Sequence, residues 1–407
     1  MINLDRKFRS FIYLSFFISL ILSYLLNENS SGGASLDKII TKPFIDSFSL
    51  GFLEGINYSI NVRQIHSPIF YYVLFLMDNF FTNETSVILY IFISSLIPFI
   101  FYKILKKKFK KKNKNFLFLL SLIIFLSPYF RSSAVWITND NLALLFFCSS
   151  IYLFIKGKYE LDNKFINYLY SFFLLVLASY IRQHYALFII IYFLQCYRDL
   201  KLNKVLYILG FCILLSIPAL KYYILYFESN FEYSRITPNY RFNFLIFLSI
   251  FIFYIFPIFL SKNNIRKIIF FLNKRKIFLI FLLLLFTAIY INFNLPQIEF
   301  GGGIIYKFFL IIDNNFIFYL ICVLSLILFL FYSSSINDFL VLTILFLSNP
   351  FPIIYQKYFD PVLLIIFFGL MTSNLIKNQM INKSLNIKFI YIYYSLFLFS
   401  ANYYYSN

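Results

Sequence analysis

Charged residues are scarce in this chain, and their scarcity sets its class. Only 13% of the 407 residues are charged, against about 25% in an average soluble domain. Hydrophobic residues make up 61% of the chain and aromatic residues 23%. Repeated apolar runs with so few charges exclude an ordinary soluble domain and predict a multi-pass integral membrane protein. Because hydrocarbon offers the backbone no hydrogen bonds, the predicted fold class is all-α.

Glycine, proline and cysteine are also few, with 10, 11 and 4 residues. The glycine triplet 301–303 has no preceding strand and no following Lys-Ser or Lys-Thr, which excludes a phosphate-binding loop. The four cysteines lie in or beside apolar runs and lack metal-ligand spacing, so they are predicted to be small core residues rather than disulfides or ligands. These cysteines are Cys148, Cys196, Cys212 and Cys322.

Histidine and tryptophan are the rarest side chains, with two and one copies. Phenylalanine and tyrosine are abundant, at 59 and 35 copies, as are Ile, Asn and Lys. Such a bias is typical of an AT-rich genome and suggests a bacterial source. A single Tyr or Lys is therefore a weak functional signal, whereas His66, His184 and Trp136 carry more weight.

The net charge of +19 does not predict a nucleic-acid partner. The basic residues fall mainly in short blocks between apolar runs, where cytoplasmic loops collect Lys and Arg. No soluble basic domain is present to hold a duplex. Membrane lipid is the expected surrounding, and the bacterial inner membrane the expected location.

The alternation of basic and polar loops predicts one transmembrane domain over residues 1–407 with about 13 crossings. The first crossing lacks a small-residue cleavage site and is expected to be a signal anchor. The run 68–81 is shorter than the ~20 residues a span needs, so it is predicted to be short or re-entrant. This choice keeps the lysine block at 103–115 inside. The predicted crossings are 11–26, 86–105, 116–130, 142–156, 166–181, 185–197, 205–227, 242–261, 277–293, 316–332, 339–349, 361–376 and 388–402.

The longest polar stretch, 27–67, is predicted to be an extracytoplasmic loop with juxtamembrane helices and half of an active site. A partly desolvated carboxylate at the membrane surface suits a general base, and Asp37 is the candidate. A solvated loop carboxylate is the alternative. Asp46, in an amphipathic segment, ranks second as a substrate contact. Ser67 and Pro68 suit the start of a helix, so a structural role explains both. His66, just before them, has no such explanation and is expected to contact a phosphate or an acceptor.

Two later loops on the same predicted face hold further candidates. Asp140 is the second catalytic candidate, with a helix N-cap as the alternative, and Trp136 is a predicted substrate contact beside it. Arg182, Gln183 and His184 form a tight corner between apolar runs. A charge there is costly and is often functional, and the Arg fork suits phosphate. The alternative for Arg182 is snorkelling to lipid headgroups.

The last outside loop carries Gln356, Lys357 and Tyr358 as predicted substrate contacts. A lysine on that face breaks the positive-inside trend, and it would neutralise a leaving phosphate; interfacial anchoring by Lys and Tyr is an equal alternative. Paired carboxylates would hold a divalent metal, Mg²⁺ or Mn²⁺. No ligand cluster in the sequence demands one.

Several of these segments resemble the membrane-integral glycosyltransferases of the GT-C superfamily. The similar features are an acidic residue, Asp37, after the first span and a following helix that begins HSPIFYY at residues 66–72. The stretch TNDNLALLFF around Asp140 resembles the second acidic site of that superfamily, and QKYFDP at 356–361 resembles its late Arg-Tyr-x-x-Pro element with Lys in place of Arg. Arg182-Gln183 is also similar to the dolichyl-phosphate glucose glucosyltransferases. The usual adjacent acidic pair is absent, since Lys follows Asp37.

The resemblance implies a glycosyltransferase that uses a polyprenyl-phosphate sugar donor in an inverting single displacement. The acceptor would be a glycan, a lipid or a protein on the extracytoplasmic face, with Asp37 as base and Arg182 and Lys357 as phosphate contacts. A transporter or flippase of lipid-linked sugars is the first alternative, which predicts ionisable residues inside the spans and inverted repeats. An O-antigen polymerase or ligase is the second, although its long outer loop is expected late in the chain.

Overall fold

The computed structural model describes residues 5–62, 66–110, 113–160, 162–230, 239–260, 262–290, 293, 295–298, 301–333, 335–373, 376, 380 and 385–406. All named elements in these ranges are helices, which confirms the predicted all-α class for the described chain. In chain order the α-helices are α1 (Arg6–Leu25), α2 (Ala34–Asp46), α3 (Phe52–Asn61), α4 (Ile69–Phe80), α5 (Asn83–Lys108), α6 (Lys114–Leu122), α7 (Pro128–Trp136), α8 (Asn139–Tyr159), α9 (Lys164–Ile181), α10 (Ile189–Asp199), α11 (Leu202–Asn230), α12 (Tyr240–Phe259), α13 (Lys262–Lys274), α14 (Lys276–Tyr290), α15 (Ile304–Ile312), α16 (Asn315–Tyr332), α17 (Ile336–Leu347), α18 (Val362–Gly369) and α19 (Ile387–Ser406).

Seven of the described helices are long and apolar enough to cross a membrane, or eight if one bent pair counts as a single span. The seven are α1, α5, α8, α9, α11, α12 and α16. They are compatible with a membrane-embedded protein. The predicted count of about 13 crossings is not confirmed.

Most of the difference in count arises where an apolar run does not become one long helix. The run at 388–402 is different, because it forms the 20-residue α19, which is long enough but is not among the helices apolar enough to span. The run predicted at 339–349 forms the 12-residue α17, and the run at 361–376 contains the 8-residue α18. The run at 277–293 contains the 15-residue α14. Helix α4 has 12 residues, too few to span unaided, as predicted for 68–81. The apolar runs thus predicted where helices form, but they did not predict how long each helix is.

The chain divides into two compact units. Unit 1 comprises Met1–Glu232 and Tyr394–Asn407, and unit 2 comprises Tyr233–Tyr393. The sequence predicted a single domain over residues 1–407. That the two units form one functional domain stays a prediction.

The centre of unit 1 is the hairpin of α8 and α9, against which α5 packs along α8. The loop between α8 and α9 is short, so the first residue of α8 and the last of α9 lie at the same end. Helix α6 runs into a 3₁₀ turn and meets α7 at a bend of 64°. Ser127 caps α7 by accepting from the Phe130 N–H at 3.0 Å, and Pro128 occupies its first turn. This Ser-Pro start explains the bend, because it begins a new helix inside one apolar run.

The loop predicted at 27–67 carries helices, as expected. Helix α2 is followed by a 3₁₀ turn over Ser47–Leu50 and then by α3, and α2 packs on α4 and on α7. Aromatic rings join these elements: Phe44 stacks on Tyr71 with ring centroids 5.4 Å apart. The loop is thereby fixed to the helices that follow it.

Unit 2 is built around α12, which is buried over most of its length and packs on α15, α16 and α18. Small polar side chains of α16 bond its backbone: Ser325 Oγ donates to the Leu248 carbonyl at 2.5 Å, and Cys322 Sγ lies 3.5 Å from the Leu245 carbonyl. All four cysteines of the chain are buried and free, which confirms them as core residues.

Candidate functional site

An arginine–carboxylate pair closes the end of the α8–α9 hairpin in unit 1. Arg182 follows the last residue of α9, and Asp140 lies in the first turn of α8. The hairpin therefore brings together two residues that are 42 positions apart in sequence, and Arg182 Nη2 lies 2.5 Å from Asp140 Oδ1. The Arg182 side chain is 6% exposed and that of Asp140 is 26% exposed. The carboxylate therefore keeps an open side while the guanidinium does not.

Both histidines of the chain belong to this pair's surroundings. His66, just before α4, has its Nε2 3.4 Å from Arg182 Nη1. His184 lies in the 3₁₀ turn Gln183–Phe188. Burial lowers the pKa of His184 to about 3, and the charges of Arg182 and His66 add to this while Asp140 opposes it. His184 is therefore neutral at ordinary pH. We name these four residues, Asp140, Arg182, His66 and His184, the Arg182 cluster.

Three further side chains hold the start of α8 in place. Tyr90 on α5 donates its hydroxyl to the Thr138 carbonyl and accepts from the Leu142 N–H at 3.2 Å. Ser133 Oγ accepts from the Asn141 N–H at 3.1 Å. Thr138, rather than Asp140, is the N-cap residue of α8. The N-cap alternative for Asp140 is therefore wrong, and its carboxylate forms an ion pair with Arg182.

Thr138 also contacts the carboxylate directly, because its Oγ1 lies 3.2 Å from Asp140 Oδ2 and 2.7 Å from Ser133 Oγ. The two oxygens of Asp140 thus face different partners, a hydroxyl and a guanidinium. None of Tyr90, Ser133 and Thr138 was singled out in the sequence. With 35 tyrosines in the chain, no composition signal distinguishes Tyr90.

Asp37, the predicted base, lies in the first turn of α2 and is partly exposed. Its helix packs against α4 and α7, the helices that adjoin His66 and the start of α8. Asp46, at the end of the same helix, is more exposed and pairs with Lys42 at 2.9 Å, one helical turn away. The two carboxylates predicted in this loop therefore lie at opposite ends of one helix, and Asp46 is engaged in a surface ion pair.

A second buried arginine was missed in the sequence. Arg131 on α7 grips Glu28 with two nitrogens, Nε to Oε1 at 2.9 Å and Nη2 to Oε2 at 2.8 Å. Its Nη1 donates to Ser19 Oγ at 3.1 Å, and its Nη2 also contacts Ser23. The available signal was the position of this arginine, directly after the apolar run predicted at 116–130. We name this group the Arg131 staple, since it ties α1 to α7.

The predicted contact Trp136 belongs with the staple: its Nε1 donates to the Glu28 carbonyl at 2.8 Å. Burial would raise the pKa of Glu28, but the bonds and charge of Arg131, with hydrogen bonds from Ser23 and Ser30, outweigh burial and hold this pKa below its ordinary value. Gln183, partly exposed, opens the turn that carries His184.

The predicted contacts of the late loop lie in unit 2. Gln356 is 3% exposed, accepts from the Ile304 N–H at 2.9 Å and has its Nε2 3.3 Å from the Tyr254 hydroxyl. The Lys357 ammonium lies 5.7 Å from the ring centroid of Tyr355, whose ring also packs against Tyr358. Gln356 thus supports the fold of its loop, and Lys357 sits on an aromatic surface.

The possible divalent metal finds no ligand set in the described ranges. No group of three or more His, Cys, Asp or Glu side chains there has the spacing of a metal site. At Asp140 the position a cation would take beside Oδ1 is held by the Arg182 guanidinium. The residues present do not fit a metal centre, and no step is assigned to one.

Comparison with known proteins gives no relative on which to rest a function. No family model matches the chain, no curated protein matches it, and no solved structure matches it. The functional argument therefore depends on the side chains of the site.

Proposed function

We propose that this protein is a membrane glycosyltransferase that moves a sugar from a polyprenyl-phosphate donor to an acceptor glycan, lipid or protein. The observation that carries the proposal is the Arg182 cluster. Three separate segments of unit 1 deliver the chain's two histidines, a buried arginine and a half-open carboxylate to one place. Buried charges and perturbed titratable groups gathered at one place are typical of functional sites.

Arg182 supplies the phosphate contact of the proposed site. A guanidinium donates two parallel hydrogen bonds to a phosphate, and it stays charged when water is excluded. Asp140 holds this guanidinium in place at 2.5 Å. When a donor phosphate arrives, it shares the guanidinium with Asp140, whose second oxygen is held by Thr138. Asp140 is thus a positioning residue, a narrower role than the second catalytic acid predicted from sequence.

His66 and His184 complete the phosphate side. The low pKa of His184, about 3, keeps its ring neutral beside Arg182. A neutral imidazole donates from one nitrogen and accepts at the other, so it binds a phosphate or sugar oxygen without adding charge. His66, 3.4 Å from Arg182, is placed to contact the same ligand.

Asp37 remains the candidate base. In the proposed step the acceptor hydroxyl oxygen attacks the anomeric carbon, the bond from that carbon to the phosphate oxygen breaks, and the acceptor proton passes to Asp37. Polyprenyl phosphate leaves with the bonding electrons, and the anomeric configuration inverts. General-base assistance of this kind typically contributes 10²–10⁴-fold. The packing of α2 on α4 and α7 supports this role because those helices lead to the Arg182 cluster.

The distribution of lysines supports an extracytoplasmic site. Lysines fill the last turns of α5 and α8, at Lys106–Lys108 and at Lys156 and Lys158. The Arg182 cluster lies at the opposite end of α8. Under the positive-inside rule the lysine end faces the cytoplasm, and the cluster then faces outside. Lys357 stays a predicted phosphate contact of unit 2.

A transporter of lipid-linked sugars is a second candidate, favoured by one observation. Helices α6 and α7 are bent by 64° at the break between them, as in a broken span or a re-entrant loop, and α7 buries Arg131. Broken helices and buried charges near the middle of a membrane are typical of transporters. In this protein the buried charge is bound on several sides by Glu28, Ser19 and Ser23. Because Arg131 has so many hydrogen-bond partners, a structural role for it is favoured over a role in transport.

The test is a transfer assay in proteoliposomes, with a panel of radiolabelled polyprenyl-phosphate hexoses and pentoses and an extract of cell-envelope acceptors. We expect release of polyprenyl phosphate and a labelled product. Asp37→Asn should lower the rate by at least 100-fold, while Asp78→Asn, an exposed carboxylate on α4 near Lys42, should leave it unchanged. Movement of intact donor between leaflets without cleavage would support the transporter instead, and normal turnover by Asp37→Asn would remove Asp37 from the mechanism.

A further inference from the structure

A groove lies between α1 and α5, in a part of unit 1 that the proposed function does not use. Its volume is about 730 Å³, within the range of small-molecule sites. Its walls are apolar and aromatic, and its lining includes Leu14, Phe17, Phe92 and Phe99. Two arginines, Arg6 and Arg9, line the same groove. We name it the α1–α5 groove.

The groove lies toward the end of unit 1 that is far from the Arg182 cluster. Helix α1 rises about 25 Å from Arg6 to Ser23 at ~1.5 Å per residue, and Ser23 contacts the Arg131 staple. On α5, the buried Tyr90 contacts Thr138 beside the cluster, whereas the groove residue Phe92 is exposed on the opposite face of the helix and Phe99 lies more than two turns further along. The two sites are therefore separate, and a ligand in the groove is not the substrate held at Arg182.

The charge of the groove is one-sided. In the described chain no Asp or Glu carboxylate lies within ion-pairing distance of Arg6 or Arg9, and the side chain of Asp5 instead caps α1 by accepting from the Phe8 N–H at 2.7 Å. Lys103 adds a third cation, with its ammonium 4.5 Å from the ring centroid of Phe99. Positive charge beside an apolar, aromatic wall fits an anion that carries a hydrocarbon chain.

We propose that the α1–α5 groove binds an anionic phospholipid of the surrounding membrane. The phosphate is held by the guanidinium groups of Arg6 and Arg9, whose forked donors suit phosphate oxygens, and one acyl chain lies along Leu14, Phe17 and Phe92. Charge complementarity selects an anionic over a zwitterionic headgroup. Occupation of the groove fixes the first turns of α1, of which few residues are buried.

The test is native mass spectrometry of the purified full chain after exchange into nanodiscs with equal amounts of phosphatidylglycerol and phosphatidylcholine. We expect one retained phosphatidylglycerol, preferred by about tenfold. The double variant Arg6→Gln/Arg9→Gln should remove the preference. Leu14→Trp, which narrows the groove and keeps both charges, should also lower retention. Arg266→Gln on α13 in unit 2, an exposed arginine, is the matched control and should change nothing.

Three results of this exchange would overturn the proposal. They are equal retention of both lipids, an unchanged preference in the double variant, and full retention in Leu14→Trp. In two further runs, a polyprenyl phosphate or soluble glycerol phosphate is added; retention of the polyprenyl phosphate in place of phosphatidylglycerol, or full competition by glycerol phosphate, would also contradict the proposal. Circular dichroism and gel filtration confirm that each variant is folded. Because the readout is lipid retention, the result is independent of sugar transfer.

Discussion

Two buried arginine–carboxylate pairs in the described part of unit 1 differ in what surrounds them. In the Arg131 staple both side chains are nearly buried, at 9% and 10% exposed for Arg131 and Glu28. In the Arg182 cluster the arginine is 6% exposed but Asp140 is 26% exposed. The guanidinium of the staple is surrounded by serine hydroxyls and the backbone carbonyls of Ser19 and Phe125. The guanidinium of the cluster lies beside two imidazoles, and the Thr138 hydroxyl contacts its partner Asp140.

The difference shows how a buried charge is assigned to stability or to function. Hydroxyls and carbonyls satisfy a guanidinium permanently, since they do not titrate and do not leave. Imidazoles change charge with their environment, and a half-open carboxylate is accessible to an incoming ligand. Burial alone does not distinguish the two arginines; the chemistry of their neighbours does.

The largest expected effect is on the staple. Arg131→Gln leaves the Glu28 carboxylate buried without its cation, and breaking a buried pair in this way costs about 3–5 kcal/mol. We expect a large fall in the thermal unfolding midpoint in detergent. The double variant Arg131→Leu/Glu28→Leu should recover part of the loss, because it leaves no unpaired charge. Equal midpoints for Arg131→Gln and the parent protein would contradict the structural role.

Arg182→Lys should affect transfer more than stability. A lysine keeps the charge beside Asp140 but donates to a phosphate as a point charge, without the planar fork. The loss of one oriented donor typically lowers the rate by about 100-fold, or about 2.7 kcal/mol. The measurement is the transfer rate together with the unfolding midpoint. A variant that lost stability and kept its rate would make Arg182 a second staple.

The pH dependence of stability should separate the two groups. The folded pKa of His184 is depressed from 6.5 to about 3, so its contribution is fully present above pH 6.5 and is lost as the pH falls toward 3. The pKa of Glu28 is depressed from 4.5, so the contribution of the staple is lost only below pH 4.5. Between pH 6.5 and pH 4.5, therefore, His184 lowers the stability as the pH falls, whereas the staple does not titrate.

His184→Gln tests this window. Unfolding midpoints at pH 7.5 and 5.0 should differ less in His184→Gln than in the parent protein, while Glu28→Gln should keep the parent's difference. The opposite pattern would assign the acid sensitivity of this range to the staple.

The sequence predicted the cluster better than the staple, for a physical reason. Helices α8 and α9 follow the runs predicted at 142–156 and 166–181 closely, starting two or three residues earlier. A short hairpin between two such helices brings their outer ends together whatever else the chain does. The prediction that Asp140 and Arg182 lie on the same face therefore depended only on this helical hairpin.

The staple needed a contact that no local pattern encodes. Glu28 and Arg131 are 103 positions apart, and they meet across the bend of 64° at Ser127, inside the single span predicted over 116–130. The supporting role of Tyr90 is equally hidden, since it arises from packing between α5 and the start of α8. Apolar runs predict which residues are helical, but bends and pair contacts come from tertiary packing.

The smallest expected changes in stability come from removing single hydroxyl groups. One such group supports the Arg182 cluster and another supports the Arg131 staple, so the pair of variants compares the two directly. Tyr90→Phe removes the bond to the Thr138 carbonyl, and Ser19→Ala removes an acceptor of Arg131. Each should cost about 1 kcal/mol of stability. Tyr90→Phe should also slow transfer several-fold, because it loosens the first turn of α8 that carries Asp140, whereas Ser19→Ala should leave the rate unchanged. Similar rates for the two variants would mean that the position of Asp140 does not control turnover.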